Sequence, residues 1–161
     1  MAIQVYSFLD VSATIQGPNG SFPLGIGAAV AEEGITTDYS IDSETMNIGA
    51  DGTPMHSLHA SKGGMISVKL QKTSPTNSNL MTMWKADRAN GSQDWGQNTL
   101  TITNIARGDS IVAQSVAFRK PPANVNAQDG GIMDWIFNCG TIDETIGDGN
   151  PTSNAISQGA G

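Results

Sequence analysis

Period-two alternation of apolar and polar side chains recurs along this chain more than any other pattern, and it commits the fold to strands with one dry face and one wet face. Ile66, Val68 and Leu70 alternate with Ser67, Lys69 and Gln71, and Val11, Ala13 and Ile15 alternate with Ser12, Thr14 and Gln16. From Ile35 to Ile41, residues Ile35, Thr37, Tyr39 and Ile41 share one face, and Thr36, Asp38 and Ser40 share the other. Two further segments, Thr99 to Ile105 and Ser110 to Phe118, are joined through Arg107-Gly108-Asp109 in the manner of a tight hairpin. Ile132 to Cys139 sets Met133, Trp135, Phe137 and Cys139 on one side and predicts the heaviest core strand.

One helix interrupts the strands. Ser74 followed by Pro75 is a capping residue ahead of a pre-set φ, and the helix runs to about Arg88 before Asn90-Gly91 ends it. Leu80, Met83, Trp84 and Asp87 share one stripe, so its apolar part covers little more than one turn. The class is therefore mainly β with one principal α-helix, most simply a β-sandwich or small barrel with the helix packed on it.

The connections carry their own chemistry. Ile3 to Ile15 reads as one or two strands, and Gly17-Pro18-Asn19-Gly20 turns the chain back through Phe22 and Leu24. The small apolar run from Gly25 to Ala31 reads as irregular. Between Asp42 and Lys62, apolar Met46, Ile48, Met55 and Leu58 are interspersed with Gly49, Asp51, Gly52 and Pro54, which predicts a long hairpin or protruding loop. Pro121-Pro122 stops strand pairing. With no repeat and no break in composition, residues 1–147 read as one domain. The segment 148–161, low in apolar content, reads as a flexible C-terminal arm.

Composition narrows the function. Only 14% of the 161 residues are charged, against about 25% in ordinary globular chains, so neutral polar groups carry the solubility. The net charge of −7 opposes sequence-specific binding to a phosphate backbone. A single cysteine, Cys139, cannot form an internal disulfide, and its alternation with Trp135 and Phe137 marks a buried, inert thiol. No stretch approaches the roughly 18 apolar residues of a membrane span, so a membrane role is not expected. Catalysis needs a base, a nucleophile and an orienting group, yet the two histidines, His56 and His59, both fall in the loop. As a metal pair they lack a cysteine nearby, and the chain is expected to use no metal or other cofactor and not to be an enzyme. Low charge, one-faced strands and unpaired edges instead describe a chain that completes itself with copies of itself, with a monomeric β-sandwich binding module as the alternative.

Several motifs also resemble a known family. Tyr6-Ser7-Phe8-Leu9-Asp10-Val11, Gly17-Pro18-Asn19-Gly20-Ser21-Phe22, Asn47-Ile48-Gly49-Ala50-Asp51-Gly52 and Met55-His56-Ser57-Leu58-His59-Ala60 are similar to the tail tube proteins of contractile-tailed bacteriophages. So are Trp95-Gly96-Gln97-Asn98, Val116-Ala117-Phe118-Arg119-Lys120 and Gly130-Gly131-Ile132-Met133-Asp134-Trp135. The resemblance implies hexameric rings whose sheets join into one continuous barrel and stack head to tail into the inner tube of a virion tail. It implies sheath, baseplate and tail-terminator partners, assembly in the host cytoplasm, and a lumen through which DNA and the tape-measure protein pass without specific binding. On this reading Met46, Ile48, Asp51, Met55, His56, Leu58 and His59 meet neighbouring subunits or rings. The polar strand faces, Thr36, Asp38 and Ser40, Ser67, Lys69 and Gln71, and Thr99, Thr101 and Thr103, are the candidates for the lumen. The helix is the candidate for sheath contact, and the tube of a related contractile secretion system is the nearest rival.

Overall fold

The computed structural model describes residues 5–25 and 30–147, together with the backbone but not the side chains of 30–33. Expectations for residues 1–4, for 26–29 and for the arm 148–161 lie outside the described residues. Among the described residues, nine strands, β1 (Val11–Gly17), β2 (Gly20–Pro23), β3 (Val30–Tyr39), β4 (Glu44–Ile48), β5 (Pro54–Leu58), β6 (Gly64–Gln71), β7 (Asn98–Asn104), β8 (Asp109–Lys120) and β9 (Ile132–Thr145), accompany one α-helix, α1 (Thr76–Asn90). Seven strands form one sheet in the order β2-β1-β7-β8-β9-β6-β3, and β4 pairs with β5 in a separate two-stranded sheet. Every pairing is antiparallel.

The alternation in the sequence becomes the division between the two sheet faces. Inward-facing Val11, Ala13 and Ile15 join Leu100, Ile102, Ile66, Val68 and Leu70 in one buried cluster. Met133, Trp135, Phe137 and Cys139 are buried in the same cluster. Phe118 meets Trp135 edge-on at 5.9 Å between ring centroids and lies 4.9 Å from Phe137, so three aromatic rings fill its middle. β8 keeps its core face only by adding a residue. Asn98 pairs with Val116 and Leu100 with Ala113, and this bulge, with Ser115 at φ 55°, returns both Ala113 and Val116 to the core.

α1 covers the sheet with few apolar side chains, chiefly the buried Leu80 and Met83, each worth about 1.5–3 kcal/mol of transfer free energy. Polar clamps fix both of its ends. At the N-terminal end the Ser74 hydroxyl accepts from the Thr76 N–H at 3.3 Å, and Pro75 already has helical angles of φ −65° and ψ −20°. Buried Asn77 accepts from Trp135 Nε1 at 2.9 Å and donates through Nδ2 to the Gln71 carbonyl at 2.9 Å. At the other end, buried Asp87 accepts from Asn19 Nδ2 at 2.5 Å and from Asn98 Nδ2 at 2.9 Å. One carboxylate thus ties the helix to the β1–β2 turn and to β7. Gly91, at φ 60°, ends the helix, a left-handed angle that glycine takes without a Cβ penalty.

Three boundaries differ from the sequence reading. The first strand starts only at Val11, because Phe8–Asp10 form a 3₁₀ turn capped by the Ser7 hydroxyl. β3 begins at Val30, inside the small-residue run read as irregular, and its register slips between Val30 and Ile35. β9 runs on to Thr145, six residues beyond Cys139, because β8 extends alongside it and Ser110 pairs with Thr145.

Candidate assembly interface

The segment Asp42 to Lys62 is a hairpin that stands apart from the seven-stranded sheet. Met46 pairs with His56 and Asn47 with Met55, and the tip is turned by Asp51, whose carboxylate accepts from the Thr53 N–H at 3.0 Å. That bond holds the Asp51 carboxyl below the usual carboxylate range. Every residue of β4 is exposed, and so is every residue of β5 except half-buried Ser57. Met46, Ile48, Met55 and Leu58 all face solvent, with Leu58 87% exposed. Free of the core, the hairpin is held by its own ladder and by polar contacts. His56 Nδ1 lies 3.0 Å from Glu44 Oε1. His59 Nδ1 donates to the Asp42 carbonyl at 2.8 Å, which leaves Nε2 to accept from the Thr45 hydroxyl at 3.1 Å. The two imidazoles are therefore engaged separately, both with partners at the base of the hairpin.

The polar side chains predicted to line a channel come together on the outer face of the main sheet. Thr36 pairs with Ser67 and Asp38 with Met65, while Thr99, Thr101 and Thr103 pair with Gln16, Thr14 and Ser12. Lys69 stands opposite Asp134, and the Ser67 hydroxyl donates to that same carboxylate. Gln71, opposite Ile132, belongs to this face as well. Ser40 follows the last residue of β3, and its N–H donates to the Gly63 carbonyl at 3.2 Å, one step beyond the Tyr39–Gly64 pair in the same register. With Lys69 set against Asp134 and Arg119 reaching Met65 Sδ at 3.1 Å, the face is rich in hydroxyls and close to neutral. The acidic surplus of the chain lies elsewhere, in part on the hairpin at Asp42, Glu44 and Asp51.

The sheet offers two edges. β2 and β3 each pair on one side only among the described residues, and such edges carry unmatched N–H and C=O groups that a further strand can take up. The sequence reading gave no sign of the Asp87 clamp beyond the shared stripe of Asp87 with Leu80, Met83 and Trp84, which was its one visible signal.

The model of the bacteriophage PhiTE tail tube protein family matches residues 3–147, most of the chain. The chain belongs to this tail tube family. No curated protein matches it. Solved structures share the fold at low identity. The sheath-tube complex of an extracellular contractile injection system (PVC, extended state) aligns at 10% identity and TM-score 0.54, covering 83% of this chain and 88% of that one. The sheath/tube terminator of the same kind of system aligns at 13% identity and TM-score 0.50, covering 90% and 97%. A chain of the anti-feeding prophage baseplate aligns at 9% and 0.51, covering 90% and 94%. The tail tube family makes the role of this mainly antiparallel β chain structural, as a component of a phage-type tail.

Proposed function

We propose that this chain is the repeating subunit of the inner tube of a contractile phage tail. The observation that carries the reading is a sheet with two open edges, one buried face and one hydroxyl-rich face. Six copies joined edge to edge, β2 of one toward β3 of the next, complete a continuous barrel and leave no strand unpaired. The neutral polar face, with Thr36, Asp38, Ser67, Lys69, Gln71, Thr99, Thr101 and Thr103, then lines the lumen. It offers no run of cations to hold a phosphate backbone, so DNA and the tape-measure protein slide past without specific binding. The β4–β5 hairpin reaches neighbouring subunits and buries Met46, Ile48, Met55 and Leu58 as rings stack, with Asp51, His56 and His59 at the same contact. α1, on the opposite side of the sheet, faces the sheath. A baseplate and a terminator close the two ends, and the product is part of the virion, assembled in the host cytoplasm without a membrane. The fold likeness to extracellular injection systems favours, as a second reading, a tube that carries protein cargo instead of DNA.

Removal of Thr45 to Ser57 tests the hairpin's role, since it takes no side chain from the core cluster. The expected result is folded subunits with an unchanged melting transition that no longer form long tubes. Tubes of normal length from the deleted chain would refute the stacking role.

A further inference from the structure

The strand directions put the β4–β5 hairpin and helix α1 at opposite ends of the main sheet. One end carries the β7–β8 turn, the last residue of β3 and the first of β6, and the hairpin leaves from there. Tyr39, closing β3, donates from its hydroxyl to Glu144 near the end of β9 at 3.3 Å. The other end carries the β1–β2 turn, the end of β6 and the start of β7, and α1 crosses it. Asn77 in the first turn of α1 bonds the Gln71 carbonyl, and Asp87 in its last turn bonds Asn19 and Asn98.

The two ends differ in charge and in apolar chemistry. From Asp42 to Leu58 the hairpin has three acids and no Lys or Arg, with Asp51 at its tip. Met46 and Ile48 share one face of β4, and the register sets Leu58 on the same face. Five-residue strands give this arm a reach of about 17 Å. At the α1 end, the Arg88 guanidinium lies over the Trp84 ring, 5.1 Å from its centroid, and with Gly91, Ser92 and Trp95 it lines a shallow hollow of about 360 Å³. Trp95 is 39% exposed. No ion pair among the described residues involves Arg88, and Asp94, beside Trp95, is turned instead to Asn19 and Asn90 at 3.0 and 2.6 Å. Stacking covers one face of the guanidinium and leaves its N–H edge for a carboxylate. Tryptophan and arginine together are the side chains from which interface anchors are most often drawn.

We propose that the hairpin of one copy docks on the α1 end of a second copy in the next ring, with Met46 and Ile48 against Trp95 and Asp51 paired with Arg88. Complementary chemistry at opposite ends of one subunit makes a heterologous contact, which repeats along an axis without closing. The inference rests on the tube reading and supplies the receptor that the hairpin lacks there. It uses the end of α1 and leaves the length of the helix to the sheath.

The test uses the full chain and engineered disulfides, which read out cleanly because the native Cys139 is buried in the core. Tubes of Ile48→Cys combined with Ser92→Cys, oxidised mildly, should give a ladder of covalent multimers without reductant. Ile48→Cys with Ser78→Cys, about 15 Å from Arg88 along the helix, should give none. Tubes of normal length without the ladder, a crosslink within one chain, or an equal ladder from Ser78→Cys would each overturn this contact and leave the tube reading standing. A wild-type chain that makes no tubes overturns both. In a second measurement, Arg88→Glu should raise the concentration needed for tubes at least tenfold with an unchanged melting transition, and adding Asp51→Arg to the same chain should lower it again. An unchanged threshold in Arg88→Glu, or no recovery in the pair, would count against the contact even if the ladder formed.

Discussion

Asn77 carries more of the architecture than its place in the first turn of the helix suggests. Its side-chain oxygen is the partner of Trp135 Nε1, in the middle of the core, and its amide nitrogen serves the Gln71 carbonyl at the end of β6. Asn77→Ala removes both bonds and leaves the Trp135 indole N–H with no partner, while the Gln71 carbonyl keeps the Ser74 N–H at 2.9 Å. Trp135 is fully buried, so water cannot reach its indole N–H without opening the core. At about 1–3 kcal/mol for the buried donor left unsatisfied and about 0.5–1.5 kcal/mol for the bond lost to Gln71, the substitution should cost about 1.5–4.5 kcal/mol. Urea unfolding of the unassembled subunit, followed by fluorescence, measures this loss, and the slope of the transition should stay unchanged. A double-mutant cycle isolates the bond. With Trp135→Phe already in place the indole donor is gone, so adding Asn77→Ala should cost about 1–2 kcal/mol less than it does alone. A cost for Asn77→Ala below about 0.5 kcal/mol, or a coupling of zero, would refute the claim that this contact docks the helix on the sheet.

Burial raises the thiol pKa of Cys139 from 9.0 to about 11. In the folded chain at pH 8 it should therefore react with iodoacetamide at least tenfold more slowly than in the urea-unfolded chain; equal rates would place it at the surface. The same shift makes stability fall as pH rises from about 9 to about 11, because the unfolded thiol releases its proton first and the folded one holds it; a flat unfolding free energy across that window in wild type, matched by Cys139→Ala, would contradict the shift. Thr101→Cys should take up a small maleimide in assembled tubes but resist one carrying a long polymer, whereas a cysteine at exposed Lys85 of α1 should accept both unless sheath is present. Equal access of the large reagent to Thr101→Cys would move the polar face out of the lumen.

Much of this fold was legible because alternation is a local signal. Ile66, Val68 and Leu70 declare their shared face within one strand, and so do Leu100 and Ile102, without knowledge of the partner strand. The helix could be read from Ser74-Pro75 at its start and Asn90-Gly91 at its end for the same reason. Long-range pairing leaves no such mark. That β1 lies beside β7 and β6 beside β9 depends on contacts dozens of residues apart, and the extension of β9 to Thr145 depends on a neighbour, β8, being long enough to accept it. The bulge at Ser115 was invisible because the extra residue makes sense only against Asn98 and Leu100. The polar clamps were hidden in the same way: Asn19, Asp87 and Asn98 are each unremarkable in their own segments, and their meaning appears only where three elements converge. At the candidate interface, the exposed apolar residues of the hairpin stood out early because four large aliphatic side chains among glycines and a proline cannot build a core of their own.

The measurement that bears most directly on the account is negative-stain electron microscopy of the purified full-length chain, with light scattering on the same sample at near-physiological salt. The account predicts hollow rings or tubes with sixfold end views and masses in multiples of six subunits. A uniform 16.8 kDa monomer at high concentration, even when preformed tube ends are supplied as seeds, would contradict it.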